Sequence, residues 1–217
     1  MDSIETVKSR YQNQRTAERY DDARYNDWQG RLNNWNVWRK LQRALAGVPA
    51  RGRILDIPCG TGRFSWHLSG AGYQTVACDV SLDMLAVASK AGGPDAIVPK
   101  FMQGDLFNLP FRDKEFDAVI CIRFMNLVDR PVRIKTVQAL ARLAPVLIIS
   151  YYHPYTLKYA GRWLRKKAGL YRKALSTRLT RRAFLDEINE TGCHLRECIT
   201  VSPLLSEEWL AVLETGK

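Results

Sequence analysis

The chain has 217 residues, of which 46% are hydrophobic and 25% charged, as in a folded domain rather than a disordered or fibrous protein. No window holds the ~18 apolar residues of a membrane span, and the N-terminal segment lacks the apolar core of a secretory signal. Five cysteines without disulfide or metal-site spacing predict a reducing, cytoplasmic location and no metal. The length predicts one domain over residues 1–217.

Positive charge is concentrated in one part of the sequence. The chain has 33 basic and 22 acidic residues, a net charge of +11. Fourteen of the basic residues, and no acidic residue, lie between Arg130 and Leu185. A basic segment of this kind indicates an anionic partner, such as a membrane surface or a nucleic acid.

The order of elements predicts an α/β fold. Residues 1–50 have the pattern of a helical cap, residues 51–152 alternate apolar runs with amphipathic stretches, a basic insertion covers 153–182, and residues 183–217 close the fold. The predicted strands are 54–57, 75–78, 96–102, 116–122, 146–151, 193–200 and 209–213. The predicted helices of the core are 63–71, 82–90, 132–143 and 181–190. This alternation is typical of a doubly wound, mostly parallel sheet, because parallel neighbours need crossover connections.

Gly60 and Gly62 lie in the turn after the first strand, in the sequence LDIPCGTG. Glycines at such a turn allow the backbone to approach a ligand closely. The spacing fits neither a dinucleotide fingerprint, which needs a third glycine, nor a P-loop, which needs Gly-Lys-Ser/Thr. By itself the turn is also compatible with a purely structural connection.

Acidic residues follow the next two strands, at the edge where open parallel sheets bind ligands. Asp79 ends the second strand, where its carboxylate can accept hydrogen bonds from both hydroxyls of a vicinal diol. The alternative is that Asp79 caps the next helix, although Ser81 is better placed for that role. Asp105 and Leu106 follow the third strand and suit an exocyclic amine and the face of a base.

Taken in order, LDIPCGTG, ACDVSLDML, GDLFNLPF and FDAVICIRF resemble the successive motifs of class I S-adenosylmethionine-dependent methyltransferases. The likeness covers about residues 50–150 and is to the small-molecule group that includes ubiquinone-biosynthesis-like enzymes. It implies a Rossmann-like sheet of seven strands with the last antiparallel. It also implies S-adenosylmethionine as the cofactor and S-adenosylhomocysteine as the product.

The resemblance implies cofactor-binding roles for residues in each motif. Asp56 would orient the glycine turn, in which Pro58 replaces the family's usual first glycine. Gly60 and Gly62 would contact the methionine moiety, and Asp79, with Val80 next to it, would bind the ribose hydroxyls. Met84, Asp105 and Leu106 would contact adenine. Cys121 and Ile122 would lie near the sulfonium end, and Tyr20 or Tyr25 would lie over the cofactor.

Three residues after the fourth and fifth strands are candidates for the acceptor side. Methyl transfer depends mainly on alignment of the acceptor, and a general base is optional. His153 follows the fifth strand and is the candidate base, with a turn-capping histidine as the alternative. Arg123 and Asn126 follow the fourth strand and are candidates for holding an anionic or carbonyl acceptor.

Residues 155–175, YTLKYAGRWLRKKAGLYRKAL, predict a basic amphipathic helix with Trp163 at its flank, a pattern typical of an interfacial membrane helix. A lid packed on the sheet and an RNA-binding helix are the alternatives. The sequence therefore predicts methyl transfer to a small hydrophobic or anionic acceptor, including a lipid-linked one, at the inner face of the membrane. An RNA methyltransferase using residues 155–182 and a non-catalytic cofactor-binding scaffold are the other functions considered.

Overall fold

The computed structural model describes residues 28–168, 177–202 and 206–216. The strands are β1 (Arg53–Asp56), β2 (Gln74–Asp79), β3 (Lys100–Gln103), β4 (Ala118–Cys121), β5 (Val146–Tyr152), β6 (Cys193–Thr200) and β7 (Glu208–Thr215). The helices are α1 (Trp28–Ala44), α2 (Arg63–Gly70), α3 (Leu82–Ala88), α4 (Arg130–Ala141), α5 (Leu157–Lys167) and α6 (Arg181–Asn189). A 3-10 turn over Leu45–Gly47 ends α1, where the sequence predicts that the helical cap ends.

The seven strands form one sheet in the order β3-β2-β1-β4-β5-β7-β6. Strands β1 to β5 are parallel, and β7 is antiparallel to both of its neighbours. The predicted mostly parallel sheet with an antiparallel last strand is thereby confirmed. From β1 the chain builds outward through β2 and β3, then returns to the other side of β1 with β4. The carboxyl ends of β1 and β4 therefore meet at a switch point, where open α/β sheets bind ligands.

Helices cover both faces of the sheet. Successive side chains of a strand point to opposite faces, so Ile54 and Leu55 of β1 belong to different hydrophobic clusters. On the face of Ile54, Leu41 of α1 and Leu68 of α2 pack against the sheet. On the face of Leu55, the buried side chains include Phe184 of α6.

The predicted elements match the structure apart from their ends, and β3 differs most. The sequence predicts that this strand begins at residue 96, whereas pairing with β2 begins at Lys100. Pro99 has no backbone N–H to donate to a ladder, and Ile97 and Val98 before it are exposed. The apolar run from Ala96 is therefore a surface loop rather than part of the strand.

The basic insertion begins with α5, which follows β5. Gly161 and residues 163–167, for which exposure is described, are all exposed. The remainder of the predicted helix, residues 169–176, lies outside the described residues. Among the helices that the structure describes, none is long and apolar enough to cross a membrane.

Candidate functional site

A cavity opens at the carboxyl ends of β1, β2 and β4, at the switch point of the sheet. About 1070 Å³ of space, part of it open to solvent, lies between its walls. Nine of the twelve residues expected to bind a cofactor line it: Asp56, Pro58, Gly60, Asp79, Val80, Met84, Asp105, Leu106 and Ile122. Segments far apart in the sequence therefore meet at one site.

Gly60 and Gly62 play different parts in the turn between β1 and α2. Both have positive φ angles, 54° and 73°. A Cβ added to Gly60 would meet nothing within 4 Å, and Gly60 lines the cavity. A Cβ added to Gly62 would lie 2.8 Å from the Cβ of Ala88 in α3. Gly62 thus permits close packing of α3 against the turn and is not a lining residue, contrary to the expectation that both glycines approach a ligand.

The carboxylate of Asp79 braces the glycine turn from the end of β2. Its Oδ2 accepts a hydrogen bond from the backbone N–H of Gly60 at 2.8 Å, and its Oδ1 accepts one from Ser81 at 2.9 Å. Ser81 itself caps α3, because its side chain accepts from the N–H of Met84 at 3.2 Å. Ser81 is therefore the cap of this helix, as expected, and Asp79 lines the cavity.

Asp56 is the most deeply buried carboxylic acid of the site, at the end of β1. Its Oδ2 accepts a hydrogen bond from the Ser65 hydroxyl of α2 at 2.6 Å. Desolvation raises the pKa of Asp56 to about 7; the Ser65 hydrogen bond opposes this rise, and the charge of Asp79 adds to it. Asp56 thus fastens the first turn of α2 to β1, just beyond the glycine turn that it was expected to orient.

Asp105 and several apolar side chains complete the lining of the cavity. The Oδ1 of Asp105 accepts a hydrogen bond from the N–H of Phe107 at 3.1 Å, which holds the carboxylate in a tight turn after β3. Sequence reasoning missed several apolar residues of this cavity: Phe64, Phe107, Phe124 and Leu127. Phe124 and Leu127 come soon after β4, so the rule that ligands bind beyond strand ends could have found them.

Arg123 lines the cavity and ties it to two distant elements. Its guanidinium donates from Nε to the Glu208 carboxylate of β7 at 3.2 Å and from Nη1 to Oδ1 of Asn34 in α1 at 2.7 Å. Its backbone, with a φ of 63°, donates to the Ser150 hydroxyl of β5 at 2.6 Å. Arg123, which was expected to hold an acceptor, is thus already engaged in a largely buried ion pair. An acceptor bound by Arg123 would share the guanidinium with Glu208.

The other two acceptor-side candidates lie away from the lining. Within the described part of the chain, the residues around the cavity do not include His153 or Asn126. His153 Nδ1 accepts from the N–H of Tyr155 at 3.2 Å, as in the turn-capping alternative, and desolvation lowers its pKa. Asn126 accepts from the N–H of Thr177 through its backbone at 3.0 Å, and its buried side-chain Oδ1 has no hydrogen bond to any residue that the structure describes.

Besides Gly62, one described residue expected to contact the cofactor does not line the cavity. Cys121 is fully buried within β4, one residue before the lining residue Ile122. Tyr20 and its alternative Tyr25 lie outside the described residues. In the ranges that are described, no group of three or more His, Cys, Asp or Glu side chains is placed to hold a metal ion.

Residues 54–145 match the family model described as methyltransferase domain. Over 93 residues the chain is 40% identical to a demethylmenaquinone methyltransferase of Paenarthrobacter aurescens, a match that covers 42% of this chain and 35% of that protein. Over 95 residues it is 36% identical to the enzyme of the same name from Thermus thermophilus, with coverages of 42% and 43%. The matched region thus spans less than half of these curated relatives.

Solved structures extend the likeness to the whole fold. A magnesium protoporphyrin IX methyltransferase from Synechocystis with bound S-adenosylhomocysteine superposes with a TM-score of 0.79 at 19% identity, over 99% of this chain and 100% of that one. An S-adenosylmethionine-dependent methyltransferase from Clostridium acetobutylicum gives 0.65 at 16% identity, over 94% and 98%. Sheet order and these matches agree with the resemblance noted in the sequence: residues 54–145 match a methyltransferase domain, and the chain has the fold of S-adenosylmethionine-dependent methyltransferases.

Proposed function

We propose that the protein transfers a methyl group from S-adenosylmethionine to a small hydrophobic or anionic acceptor, including a lipid-linked one. One observation carries the proposal: residues of four separate motif segments converge on a single cavity at the switch point of the sheet. Relatives named demethylmenaquinone methyltransferases support an acceptor of the quinone type. We treat residues 1–217 as one domain, with a helical cap before the cofactor core and a basic insertion after it.

The lining residues suit the chemistry of this cofactor. The buried Asp79 carboxylate can accept from a ribose diol while it braces the turn, because each carboxylate oxygen has a second acceptor position. Asp105 can accept from the adenine amine, with Met84 and Leu106 as apolar surfaces for the ring. The open space beside Gly60 leaves room for the methionine moiety at the backbone.

The protein's part in the reaction is to bind, orient and exclude water. S-adenosylmethionine supplies a reactive sulfonium methyl group when bound. The apolar side chains of Phe64, Phe124 and Leu127 line the same cavity and can hold a hydrophobic acceptor in line. Alignment of this kind supplies much of the rate of a two-substrate reaction. Arg123, held by Glu208, gives the wall a fixed positive group for an anionic or carbonyl oxygen.

Helix α5 provides a route for a membrane-bound acceptor. Trp163 and Leu164 are exposed beside Arg165, Lys166 and Lys167, and the Lys167 Nζ lies 4.2 Å from the centroid of the Trp163 ring. Exposed aromatic and basic side chains on one helix are typical of binding at a membrane interface. We propose a cytoplasmic protein that reaches its acceptor at the inner face of the membrane through this helix.

The cofactor part of the proposal is tested by calorimetric titration with S-adenosylhomocysteine. We expect one site per chain, and Asp79→Asn should weaken binding at least tenfold because hydrogen bonds to a charged acceptor are strong. Asp95→Asn, which removes an exposed carboxylate before β3, is the matched control and should leave affinity unchanged. Failure of the wild-type protein to bind the ligand would overturn the proposal.

The acceptor part is tested with S-adenosylmethionine carrying a deuterated methyl group. Demethylmenaquinone in anionic vesicles and bulk RNA are offered separately, and products are analysed by mass spectrometry. Labelled quinone supports the proposal. Labelled RNA would point to an RNA methyltransferase, and cofactor binding without transfer to either would favour a non-catalytic scaffold.

The contribution of α5 is tested by Arg165→Glu, Lys166→Glu and Lys167→Glu in one variant. We expect turnover of the vesicle-borne acceptor to fall while affinity for S-adenosylhomocysteine stays unchanged, because these three exposed residues are not among those that line the cavity. Equal loss of both would assign these residues to the integrity of the fold rather than to the acceptor.

A further inference from the structure

An apolar stripe runs along the side of α1 that faces solvent. Trp28, Leu32 and Trp35 are 66%, 46% and 53% exposed. Their spacing of four and three residues places them on one face of the helix, opposite the buried Val37 and Leu41. The helix is therefore apolar on two sides, and packing against the sheet covers only one of them.

Cations flank this stripe on both sides. Arg31 lies on one edge, while a shallow depression on the other edge is lined by Asn36, Arg39, Lys40 and Arg43. Arg39 sits over the Trp35 ring, 4.8 Å from its centroid, and so joins the basic and apolar parts of the surface. No acidic residue occurs in the sequence from Trp28 to Leu55. We call Trp28, Arg31, Leu32, Trp35, Arg39 and Lys40 the outer face of α1.

We infer that the outer face of α1 docks on an anionic phospholipid bilayer. Tryptophan and leucine can enter the boundary between headgroups and acyl chains while the flanking cations pair with lipid phosphates. The lack of acidic side chains over this stretch favours an anionic partner, and the exposed apolar stripe favours a membrane interface over a purely polar polyanion such as RNA. This surface is separate in sequence from the basic insertion, which the charge distribution singled out.

The position of α1 connects docking to the reaction. Asn34, on the same helix, accepts a hydrogen bond from Arg123, which lines the cavity. Because Asn34 is buried on the inner side of α1, a bilayer bound at the outer face would lie about one helix diameter, ~10 Å, from the cavity wall, a distance that a lipid-linked acceptor could span. This consequence rests on the proposed function, whereas docking itself does not require cofactor or acceptor.

The inference is tested by sedimentation with vesicles of phosphatidylcholine and about one third phosphatidylglycerol at ~0.15 M salt, without cofactor. Leu32→Ser with Trp35→Ser should lower the bound fraction at least fivefold, because it removes most of the stripe. Ile97→Ser with Val98→Ser is the matched control, since these side chains are 60% and 66% exposed beside β3. The control pair should bind as well as wild type.

Two further experiments test the role of the cations and the depth to which the tryptophans enter the bilayer. Arg39→Glu with Lys40→Glu should reduce binding to anionic vesicles at least tenfold, because each cation near such a surface contributes to binding. Brominated lipids should quench tryptophan fluorescence in the wild type and less in Trp28→Ser with Trp35→Ser. Unfolding curves of these exposed-site variants should match wild type.

Several results would overturn the inference. The first two are failure of the wild type to sediment with anionic vesicles, and a loss of vesicle binding in the Ile97 and Val98 control as large as in Leu32→Ser with Trp35→Ser. The third is release of the protein from vesicles by RNA. The fourth is a dimer that forms without vesicles and is abolished by Leu32→Ser with Trp35→Ser. Because vesicle binding and S-adenosylhomocysteine binding are measured separately, the inference can fail while the proposed function holds, and the reverse.

Discussion

At the scale of single residues, Asp56 makes the stability of the protein depend on pH. Its pKa is about 7 in the folded chain against 3.8 when solvated, because burial disfavours the charged carboxylate. The folded state therefore binds more protons across this interval, and the free energy of unfolding should fall as pH rises from about 4 to about 7. We expect Asp56→Asn to flatten this fall, measured by urea denaturation at several pH values.

The Asp56 prediction has an internal control. The amide of Asp56→Asn retains an acceptor for Ser65, so loss of that hydrogen bond does not confound the comparison. Asp95→Asn removes an exposed carboxylate and should leave the pH dependence as in wild type. A steep fall that persists in Asp56→Asn would show that another group, such as Asp79, causes it.

At the scale of elements, the packing of the glycine turn on α3 depends on the missing side chain of Gly62. In Gly62→Ala the new methyl group would overlap Ala88, and the φ of 73° would add backbone strain. We expect destabilisation on the order of 2–4 kcal/mol, measured by chemical denaturation, from strain and overlap together.

A substitution at Gly72 distinguishes the effect of backbone strain from the effect of overlap with Ala88. It has a φ of 92°, but a Cβ there would meet nothing within 4 Å, so Gly72→Ala adds strain without overlap. Gly62→Ala should therefore destabilise the fold more than Gly72→Ala, and Ala88→Gly should recover part of the difference in a double-mutant cycle. Equal effects of the two alanine variants would mean that overlap with α3 contributes nothing.

At the scale of the whole molecule, Glu207 joins three stretches of chain at the carboxyl edge of the sheet. Its carboxylate forms a buried ion pair with Arg178 and accepts from the Thr156 hydroxyl, and its backbone oxygen accepts from the N–H of His153. Glu207→Ala removes a buried carboxylate from the side of the buried Arg178 guanidinium. We expect a loss of about 3–5 kcal/mol in the free energy of unfolding.

The comparison for Glu207→Ala is Glu190→Ala, which breaks the pair of Glu190 with Arg130 at the surface. Water replaces an exposed partner readily, so this variant should change stability far less. Similar losses in both variants would show that burial of the Arg178 pair does not govern its strength.

The sequence predicted the features that depend on local pattern. Alternating apolar runs and helical periodicity identified the strands and helices, and strand ends identified Asp79 and Asp105 as neighbours at one edge. Contacts between distant parts of the chain were not predictable. Arg123 meets Asn34 and Glu208 across 89 and 85 residues, and no local pattern encodes such a pairing.

The same limit explains the glycine turn. Motif spacing located Gly60 and Gly62 correctly, but the reason for each glycine depends on what lies beside it in the fold. Ala88, which excludes a side chain at residue 62, belongs to a helix 26 positions further along the chain. A single sequence shows that a glycine is present and leaves open whether a ligand or a helix requires it.

The place of β7 in the sheet has a consequence for synthesis on the ribosome. β7 follows β6 in the chain but is inserted between β5 and β6, pairing with both. Until residues 208–215 leave the exit tunnel, β5 and β6 each keep an edge whose N–H and C=O groups are unpaired. Such edges bind other chains, so nascent chains interrupted before this point should depend on chaperones to avoid aggregation, although the cofactor-binding strands are already complete.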